Sequence, residues 1–339
     1  MGRPGQLEVV CVGEALVDFL PEQRGLAVHQ VERWVRCSGG SPANVAVGVA
    51  RLGGKSAMVG AVGQDDFGTF LRESLAREGV DVSRLRPTGE GKTGLVFISL
   101  SETGERSFSF YRTRAAELFL GEQDVDEGFL GSARAVHFGT NSLLFREAQR
   151  AVLRMARSAR AADRIVSCDP NLRLHLWTDP AELKALIGLI LPSATVVKLS
   201  EDELEFVTGT TEPEAALAVL RSAGVPLPVI TLGERGATFL WQDRQVWVSA
   251  PKTDCVDATG AGDGFMAGLL FGLTRLYPDA PSLQRATVGE LRELVSFACT
   301  VGARVVEKVG AVGGLPMRAD VERALPGFLR AAASDDGVP

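Results

Sequence analysis

The chain has 339 residues, of which 45% are hydrophobic, and this allows one large domain with a substantial core. Its 36 basic and 42 acidic side chains leave a net charge of −6, so it lacks the basic character of a nucleic-acid-binding protein. No apolar run approaches the ~20 residues of a membrane-spanning helix, and no membrane partner is expected. The five cysteines are scattered and form no Cys-x-x-Cys motif, which favours reduced thiols in a cytoplasmic protein.

In chain order, short apolar runs alternate with longer helical patterns. The runs typical of buried strands are residues 9–12, 57–62, 135–138, 165–168, 195–199 and 228–232. The helical patterns are residues 43–52, 67–78, 146–162, 180–191, 214–223, 264–272 and 291–305. This alternation predicts an α/β fold, with helices on both faces of a doubly wound, mostly parallel sheet. Ligands of such sheets bind at the carboxyl ends of the strands.

Two segments interrupt the alternation. Residues 18–37 have no helical pattern, and residues 93–100 and 107–111 form a predicted β-hairpin with a polar turn at 102–105. We predict a small second sheet, with strands from about 14–37 and 93–112, that acts as a lid over an active site. An edge hairpin without function is the alternative. One domain would then span residues 7–330, with flexible ends at 1–6 and 331–339.

Residues 257–263, Asp-Ala-Thr-Gly-Ala-Gly-Asp, are the most informative segment of the chain. Small residues let backbone N–H groups approach an anion, and the helix that follows adds unpaired donors and a positive dipole end. Asp263 could accept a proton while these donors hold developing phosphate charge. The pattern predicts phosphoryl transfer to an alcohol, although an aspartate that only caps the helix has the same local sequence.

A second signal lies in residues 37–47. Gly39 and Gly40 precede a helix that begins near Pro42, and proline is favourable in the first turn of a helix. Asn44 also falls in this first turn, where its amide can face a cleft. A Gly-Gly pair alone is weak evidence, but together with the distant Gly-Ala-Gly-Asp turn it becomes much stronger.

These two segments resemble the paired signatures of the ribokinase-like (PfkB) carbohydrate kinases, and the chain is most similar to the fructokinases of that family. The similarity runs from about residue 10 to residue 316, close to the whole chain. Supporting segments are residues 12–18, 110–112, 169–173, 198–204, 291–293 and 310–316. The resemblance implies a ribokinase-like fold and an ATP-dependent kinase that uses Mg²⁺. The implied reaction is phosphorylation of D-fructose at O6.

The resemblance assigns roles to individual residues. Asp263 corresponds to the general base, and the N–H groups of Gly260, Ala261 and Gly262 correspond to the anion hole for the transferring phosphoryl. The implied substrate-binding residues are Asp18, Gly39, Gly40, Asn44 and Arg112. A carboxylate at position 18 suits a polyol, because it accepts hydrogen bonds from adjacent hydroxyls.

The implied nucleotide- and phosphate-binding residues are Asn171, Arg173, Thr231, Gly233 and Gly236. Glu203 corresponds to the glutamate of a family Asn-x-x-Glu element and would act on Mg²⁺ through bound waters. Ser200 replaces the asparagine of that element, which weakens a direct role for position 200. Asp169 is a second expected magnesium-side carboxylate. In related kinases, residues matching Asp257 and Thr259 contribute to a monovalent-cation site, and this makes K⁺ a further expected cofactor.

Two alternatives stay open. The Tyr111-Arg112 pair also resembles 2-keto-3-deoxygluconate kinases, in which an arginine pairs with the substrate carboxylate. A non-catalytic sugar-binding regulator on the same fold is the alternative of another class, but a pure binder has no use for the Asp263 base. The resemblance further implies a homodimer formed through the lid.

Overall fold

The structure, a computed structural model, describes residues 6–23, 25–100, 106–327 and 329. The predicted turn at residues 102–105, the flexible C-terminal end at 331–339 and all of the N-terminal end except Gln6 lie outside the described residues. The predicted domain bounds, 7–330, stay a prediction.

The strands are β1 (Val9–Val12), β2 (Leu16–Pro21), β3 (Trp34–Gly39), β4 (Ser56–Gly63), β5 (Asp81–Thr88), β6 (Leu95–Leu100), β7 (Arg106–Tyr111), β8 (Ala135–Phe138), β9 (Ile165–Cys168), β10 (Val196–Ser200), β11 (Leu227–Thr231), β12 (Ala237–Trp241) and β13 (Arg244–Val248). The helices are α1 (Ser41–Arg51), α2 (Asp66–Arg77), α3 (Glu127–Ser132), α4 (Arg146–Ala161), α5 (Pro180–Ile190), α6 (Leu204–Thr208), α7 (Pro213–Ser222), α8 (Ala261–Leu276), α9 (Ala280–Leu283), α10 (Val288–Val305), α11 (Ala311–Gly314) and α12 (Arg318–Val321).

In the described part of the chain, nine strands form the central sheet, in the order β13-β12-β11-β10-β9-β8-β1-β4-β5. Neighbouring strands are parallel from β11 to β5, and β12 and β13 add an antiparallel edge. The strand order reverses at β1, because the chain continues to β4 on one side and to β8 on the other. The crevice at such a reversal is where ligands of open α/β sheets bind. The predicted doubly wound, mostly parallel sheet is confirmed.

Helices cover both faces of this sheet, because successive residues of a buried strand point to opposite sides. On β1, Val9 and Cys11 pack with α1, α2, α8 and α10, whereas Val10 and Val12 pack with α4, α5 and α7. Helix α8 is buried over most of its length. Its glycines make this possible: a Cβ on Gly268 would lie only 3.1 Å from the Cα of Ala298 in α10.

The second sheet has the strand order β3-β2-β6-β7. Strands β2 and β6 are parallel, and the β2–β3 and β6–β7 pairs are antiparallel. Its strands follow β1 and β5, so the sheet extends from the carboxyl ends of central strands. The predicted small second sheet is confirmed, and β3 continues two residues beyond the predicted limit, to Gly39. Its action as a lid stays a prediction, and the sheet is called the lid from here on.

The apolar-run pattern fails to predict strands β5, β12 and β13. Strand β5 has the sequence Asp-Val-Ser-Arg-Leu-Arg-Pro-Thr, and it pairs only with β4 at the edge of the sheet, so most of its side chains can be polar. Helix α8 also begins three residues earlier than the predicted residue 264, which puts Asp263 inside the helix. Within the described residues, no helix has the length and apolar character needed to cross a membrane.

Candidate active site

A cleft of about 1520 Å³ lies between the carboxyl ends of the central strands and the inner face of the lid. Most of the residues predicted from the sequence line it. They are Asp18, Gly40, Asn44, Arg112, Asp169, Asn171, Arg173, Glu203, Thr231, Gly233, Gly236, Thr259, Gly260, Ala261, Gly262 and Asp263. Gly39 and Asp257 do not line the cleft. Gly39 lies against the Asp18 carboxylate, and Asp257 binds the turn before α8.

Asp263, in the first turn of α8, is held by two side chains of helix α1. Ser41 Oγ donates a hydrogen bond to Oδ1 at 2.6 Å, and Asn44 Nδ2 donates to Oδ2 at 2.7 Å. Gly260 takes the N-cap position of α8 with a left-handed φ of 80°, so Asp263 is not the cap of this helix. The two donors from α1 hold the carboxylate in the cleft, in the first turn of α8.

The turn before α8 is packed against the segment that begins α11. One Asp257 oxygen accepts hydrogen bonds from Thr259 N at 2.9 Å and Thr259 Oγ1 at 2.7 Å, and the other accepts from Gly310 N at 2.7 Å. A Cβ on Gly260 would lie 2.6 Å from the Cβ of Ala311. Asp257 therefore shapes the turn, and its oxygens already accept from protein donors.

The N-terminus of α8 opens into the cleft. The first N–H groups of a helix have no acceptor within it, and they favour a bound anion. The Ala261 N–H group donates only a long hydrogen bond to the Ala258 carbonyl oxygen, with 3.3 Å between nitrogen and oxygen. Gly260 and Gly262 leave their backbone N–H groups unshielded by side chains. The start of α8 can therefore hold a phosphoryl group next to Asp263.

Gly39 and Gly40 determine where the Asp18 carboxylate can lie. A Cβ on Gly39 would lie 2.2 Å from Asp18 Oδ2, so only glycine leaves room for this side chain. Gly40 has a φ of 101°, and a Cβ there would lie 2.4 Å from the Glu14 carbonyl oxygen. Burial, with a smaller contribution from the Asp263 charge, raises the pKa of Asp18 to about 7 against the opposing effect of Arg112.

Arg112 is buried at the floor of the lid instead of lying free in the cleft. Its Nε donates to Glu117 Oε1 at 2.7 Å, and its Nη2 donates to the Asn141 carbonyl oxygen at 3.1 Å. The buried Glu14 carboxyl also lines the cleft, and its pKa is raised by burial in spite of the Arg112 charge. The sequence patterns did not indicate Glu117, although it lies only five residues after Arg112.

Asp169, Lys198 and Glu203 form the charged floor of the opposite half of the cleft. Lys198 Nζ donates to Asp169 Oδ2 at 3.0 Å, and both side chains are buried. Glu203 Oε1 accepts from Leu172 N at 2.7 Å, and Oε2 accepts from Ser200 N and Ser200 Oγ at 2.7 and 2.9 Å. Ser200 therefore orients Glu203. Lys198 lies in a segment used for the resemblance, but no role was assigned to it.

The remaining predicted residues line the outer half of the cleft. Asn171 has a left-handed φ of 46° in the loop that follows β9, and Thr231 ends β11. Nothing lies within 4 Å of a Cβ built on Gly233, so this part of the cleft is open. Gly236 is required for a different reason, because a Cβ there would lie 2.1 Å from the Val248 carbonyl oxygen. Three residues from α10 also contribute and were not predicted: Cys299, Gly302 and Ala303.

The chain itself offers only part of a divalent-metal site. No group of three or more His, Cys, Asp or Glu side chains in the described residues could hold a metal ion. Asp169 Oδ1, however, is buried without a hydrogen-bond partner. Carboxylate oxygens suit Mg²⁺, which retains waters and binds substrate phosphates in preference to a complete protein cage. The residues present fit a cation that arrives with a nucleotide.

Comparison with protein families identifies the chain. The family profile described as pfkB family carbohydrate kinase matches residues 6–318. The chain belongs to the pfkB family of carbohydrate kinases. It is similar to the probable fructokinase-6, chloroplastic, of Arabidopsis thaliana, with 38% identity over 94% of this chain and 82% of that protein.

Solved pfkB structures superpose closely on this one. The fructokinase with bound ATP from Xylella fastidiosa has a TM-score of 0.85 and 32% identity, over 94% of this chain and 97% of that one. The fructokinase from Vibrio cholerae O395 in a fructose-, ADP- and calcium-bound form has a TM-score of 0.83 and 34% identity, over 95% and 99% of the two chains. This pfkB kinase is therefore a carbohydrate phosphotransferase.

Proposed function

We propose that this pfkB kinase is a fructokinase that transfers the γ-phosphoryl group of ATP to O6 of D-fructose. The observation that carries the proposal is the Asp263 carboxylate, which Ser41 and Asn44 hold beside the N-terminus of α8. The similarity to fructokinases along nearly the whole chain supports fructose as the sugar.

In the proposed reaction, the sugar lies between the lid and α1. Asp18 accepts hydrogen bonds from the sugar hydroxyls, and Asn44 donates hydrogen bonds to them. The lid excludes water. Asp263 takes the proton of the attacking hydroxyl as the bond between that oxygen and the γ-phosphorus forms. The N–H groups of Gly260, Ala261 and Gly262 hold the charge of the transferring group. The chemistry depends on positioning and charge neutralisation, and needs no covalent intermediate.

The nucleotide would occupy the outer half of the cleft, near Thr231, Gly233 and Gly236, with Asn171 and Arg173 on its phosphate side. Mg²⁺ would neutralise the triphosphate, with Asp169 as the nearest carboxylate and Glu203 reached through waters. K⁺ near Asp257 and Thr259 stays a prediction, as do the homodimer and the cytoplasmic location.

The ion pair between Arg112 and Glu117 supports fructose over 2-keto-3-deoxygluconate as the substrate. An arginine that recognises a substrate carboxylate offers that anion an unneutralised charge. Here the Glu117 carboxylate already pairs with Arg112, and Glu117 and the Asn141 carbonyl accept two of its five N–H donors. The acidic side chains Glu14 and Asp18 also line this end of the cleft and disfavour a second anion. The uncharged sugar therefore fits better than the keto-acid.

The test is ADP release by the purified protein with Mg-ATP and fructose, 2-keto-3-deoxygluconate, ribose, adenosine or no sugar. We expect fructose-dependent turnover, and we expect Asp263→Asn to lower kcat by ~10² or more while sugar binding persists, because the general base is lost. Asp243→Asn, an exposed substitution between β12 and β13, is the matched control.

Turnover with the keto-acid alone would refute fructose as the substrate and would assign its carboxylate to Arg112. Near-normal turnover in Asp263→Asn would remove this residue from the mechanism. Binding of ATP and sugar without ADP release would favour the non-catalytic regulator.

A further inference from the structure

Lys198 is a buried cation of the cleft floor that the proposed reaction leaves without a role. It lies on β10, between β9 and β11 of the central sheet, and its side chain is 6% exposed. Its ammonium forms an ion pair with the Asp169 carboxylate, with 3.0 Å between Nζ and Oδ2, and Glu203 lies on the same floor. This pair places a cation inside the cleft.

The ammonium of Lys198 lies beside the N-terminus of α8. A Cβ on Gly262, the second residue of that helix, would lie 3.1 Å from Lys198 Nζ. Glycine at position 262 thus leaves room for the lysine as well as for an anion. An ammonium has three N–H donors, and in the described residues Nζ makes one hydrogen bond, to Asp169 Oδ2. Two donors remain for a group that enters the cleft.

We propose that the Lys198 ammonium contacts the transferring phosphoryl group and neutralises its developing charge together with the N–H groups of α8. This inference rests on the proposed function. As the bond between the sugar oxygen and phosphorus forms, the bond to the β,γ-bridging oxygen breaks. The electron pair of that bond stays on the β-phosphate of ADP, and the hydroxyl proton goes to Asp263. A preorganised cation at this position lowers the barrier, because it acts in a site shielded from water.

A purely structural ion pair with Asp169 is the competing explanation. Removing Lys198 alone would leave the Asp169 carboxylate buried without its cation, and loss of one partner of a buried pair destabilises a protein strongly. The informative comparison is therefore Asp169→Asn against the double variant Asp169→Asn/Lys198→Met. Both variants lack the Asp169 carboxylate, so a difference in kcat between them reports the effect of the Lys198 ammonium.

The experiment measures kcat and the sugar KM of these two variants, after their folding has been checked by thermal unfolding. We expect the double variant to have a kcat ~10²–10³-fold below that of Asp169→Asn. Its sugar KM should stay within about threefold, because the lost contact exists mainly in the transition state. Lys55→Met, at an exposed lysine before β4, is the control for lysine removal elsewhere.

A second readout does not depend on turnover. ADP with aluminium fluoride, Mg²⁺ and fructose mimics the transferring phosphoryl, and its affinity should fall with kcat, whereas the affinity for ADP alone should change little. Equal kcat in the two Asp169 variants, or an unchanged affinity for the aluminium fluoride complex, would overturn the role of Lys198. A wild-type protein that turns over none of the sugars would instead refute the proposed function, and this inference with it.

Discussion

Asp18 and Asp263 are two carboxylates of the same cleft in different surroundings. Asp263 accepts short hydrogen bonds from Ser41 and Asn44, while burial raises the pKa of Asp18 to about 7. Environments that separate two carboxyl groups in this way allow them to take different roles. Asp263 is positioned to accept a proton, and Asp18 to accept hydrogen bonds from sugar hydroxyls.

The pH dependence of sugar use follows from Asp18. We predict that kcat/KM for fructose rises about tenfold per pH unit below pH 7 and levels off above it, because kcat/KM reports groups of the free enzyme. Asp18→Asn should abolish this limb and raise the sugar KM. The measurement is a profile of kcat/KM from pH 5 to pH 9. A limb that persists in Asp18→Asn would assign the titration to another group.

The ionised Asp18 carboxylate should also lower the free energy of unfolding of the protein above pH 7. Its pKa is higher in the folded protein than its usual 3.8, so the unfolded chain loses the proton first as the pH rises. The free energy of unfolding therefore falls between about pH 4 and pH 7 and stays lower at higher pH. Asp18→Asn should be more stable than the wild type at pH 8, by about 1–2 kcal/mol, in urea denaturation. An equal or lower stability of this variant at pH 8 would contradict this assignment.

At the scale of elements, the contact between α1 and α8 assembles the site. Helix α1 carries Ser41 and Asn44, and helix α8 carries Asp263. Their close approach depends on small residues, since a Cβ on Gly48 would lie 2.5 Å from the Cβ of Ala267. The spacing of the two helices therefore sets the 2.7 Å hydrogen bond from Asn44 to Asp263.

Gly48→Ala should separate these helices. We predict a loss of about 1–3 kcal/mol in the free energy of unfolding, measured in urea, and a lower kcat, because overpacking displaces α1 from α8. Gly188→Ala is the matched control: this exposed glycine of α5 has nothing within 4 Å of its Cβ position. Alanine there should stabilise the protein by about 0.5–1 kcal/mol. Similar effects of the two substitutions would show that the α1–α8 contact is not the cause.

At the scale of the whole molecule, two sheets share one cleft, and the lid has a second, outer face. An aromatic row lies on that face: Phe97 is 5.1 Å from Trp34 and 5.3 Å from Tyr111 between ring centroids. Tyr111 is 64% exposed. Exposed aromatic clusters are typical of interfaces, which agrees with the predicted homodimer through the lid.

Tyr111→Asp tests this predicted dimer. We expect a dimer in sedimentation velocity for the wild type and a shift towards monomer for Tyr111→Asp, because a charge is costly in the core of an interface. Trp247→Asp is the matched control, since Trp247 is 53% exposed on β13, at the far edge of the central sheet. A wild type that sediments as a monomer at micromolar concentration would contradict the prediction.

Hydrophobic periodicity and turn chemistry determined much of this protein from the sequence alone. The alternation of buried runs and helical patterns specified the central sheet, and the Gly-Ala-Gly-Asp turn indicated Asp263, because both signals are local. The edge strands β5 and β13 escaped this pattern because many of their side chains are exposed or half-buried, whereas the buried strand β12 is short and was missed without such a reason.

Only the tertiary structure decided which distant side chains meet. Ser41 and Asp263 are 222 residues apart in sequence, and their 2.6 Å contact depends on how α1 packs on α8. In the same way, packing brings Lys198 to Gly262 and joins the Asp257 carboxylate to the Gly310 N–H group. Local sequence records the propensity of each element, whereas the charge balance of a cleft arises from the packing of several elements at once.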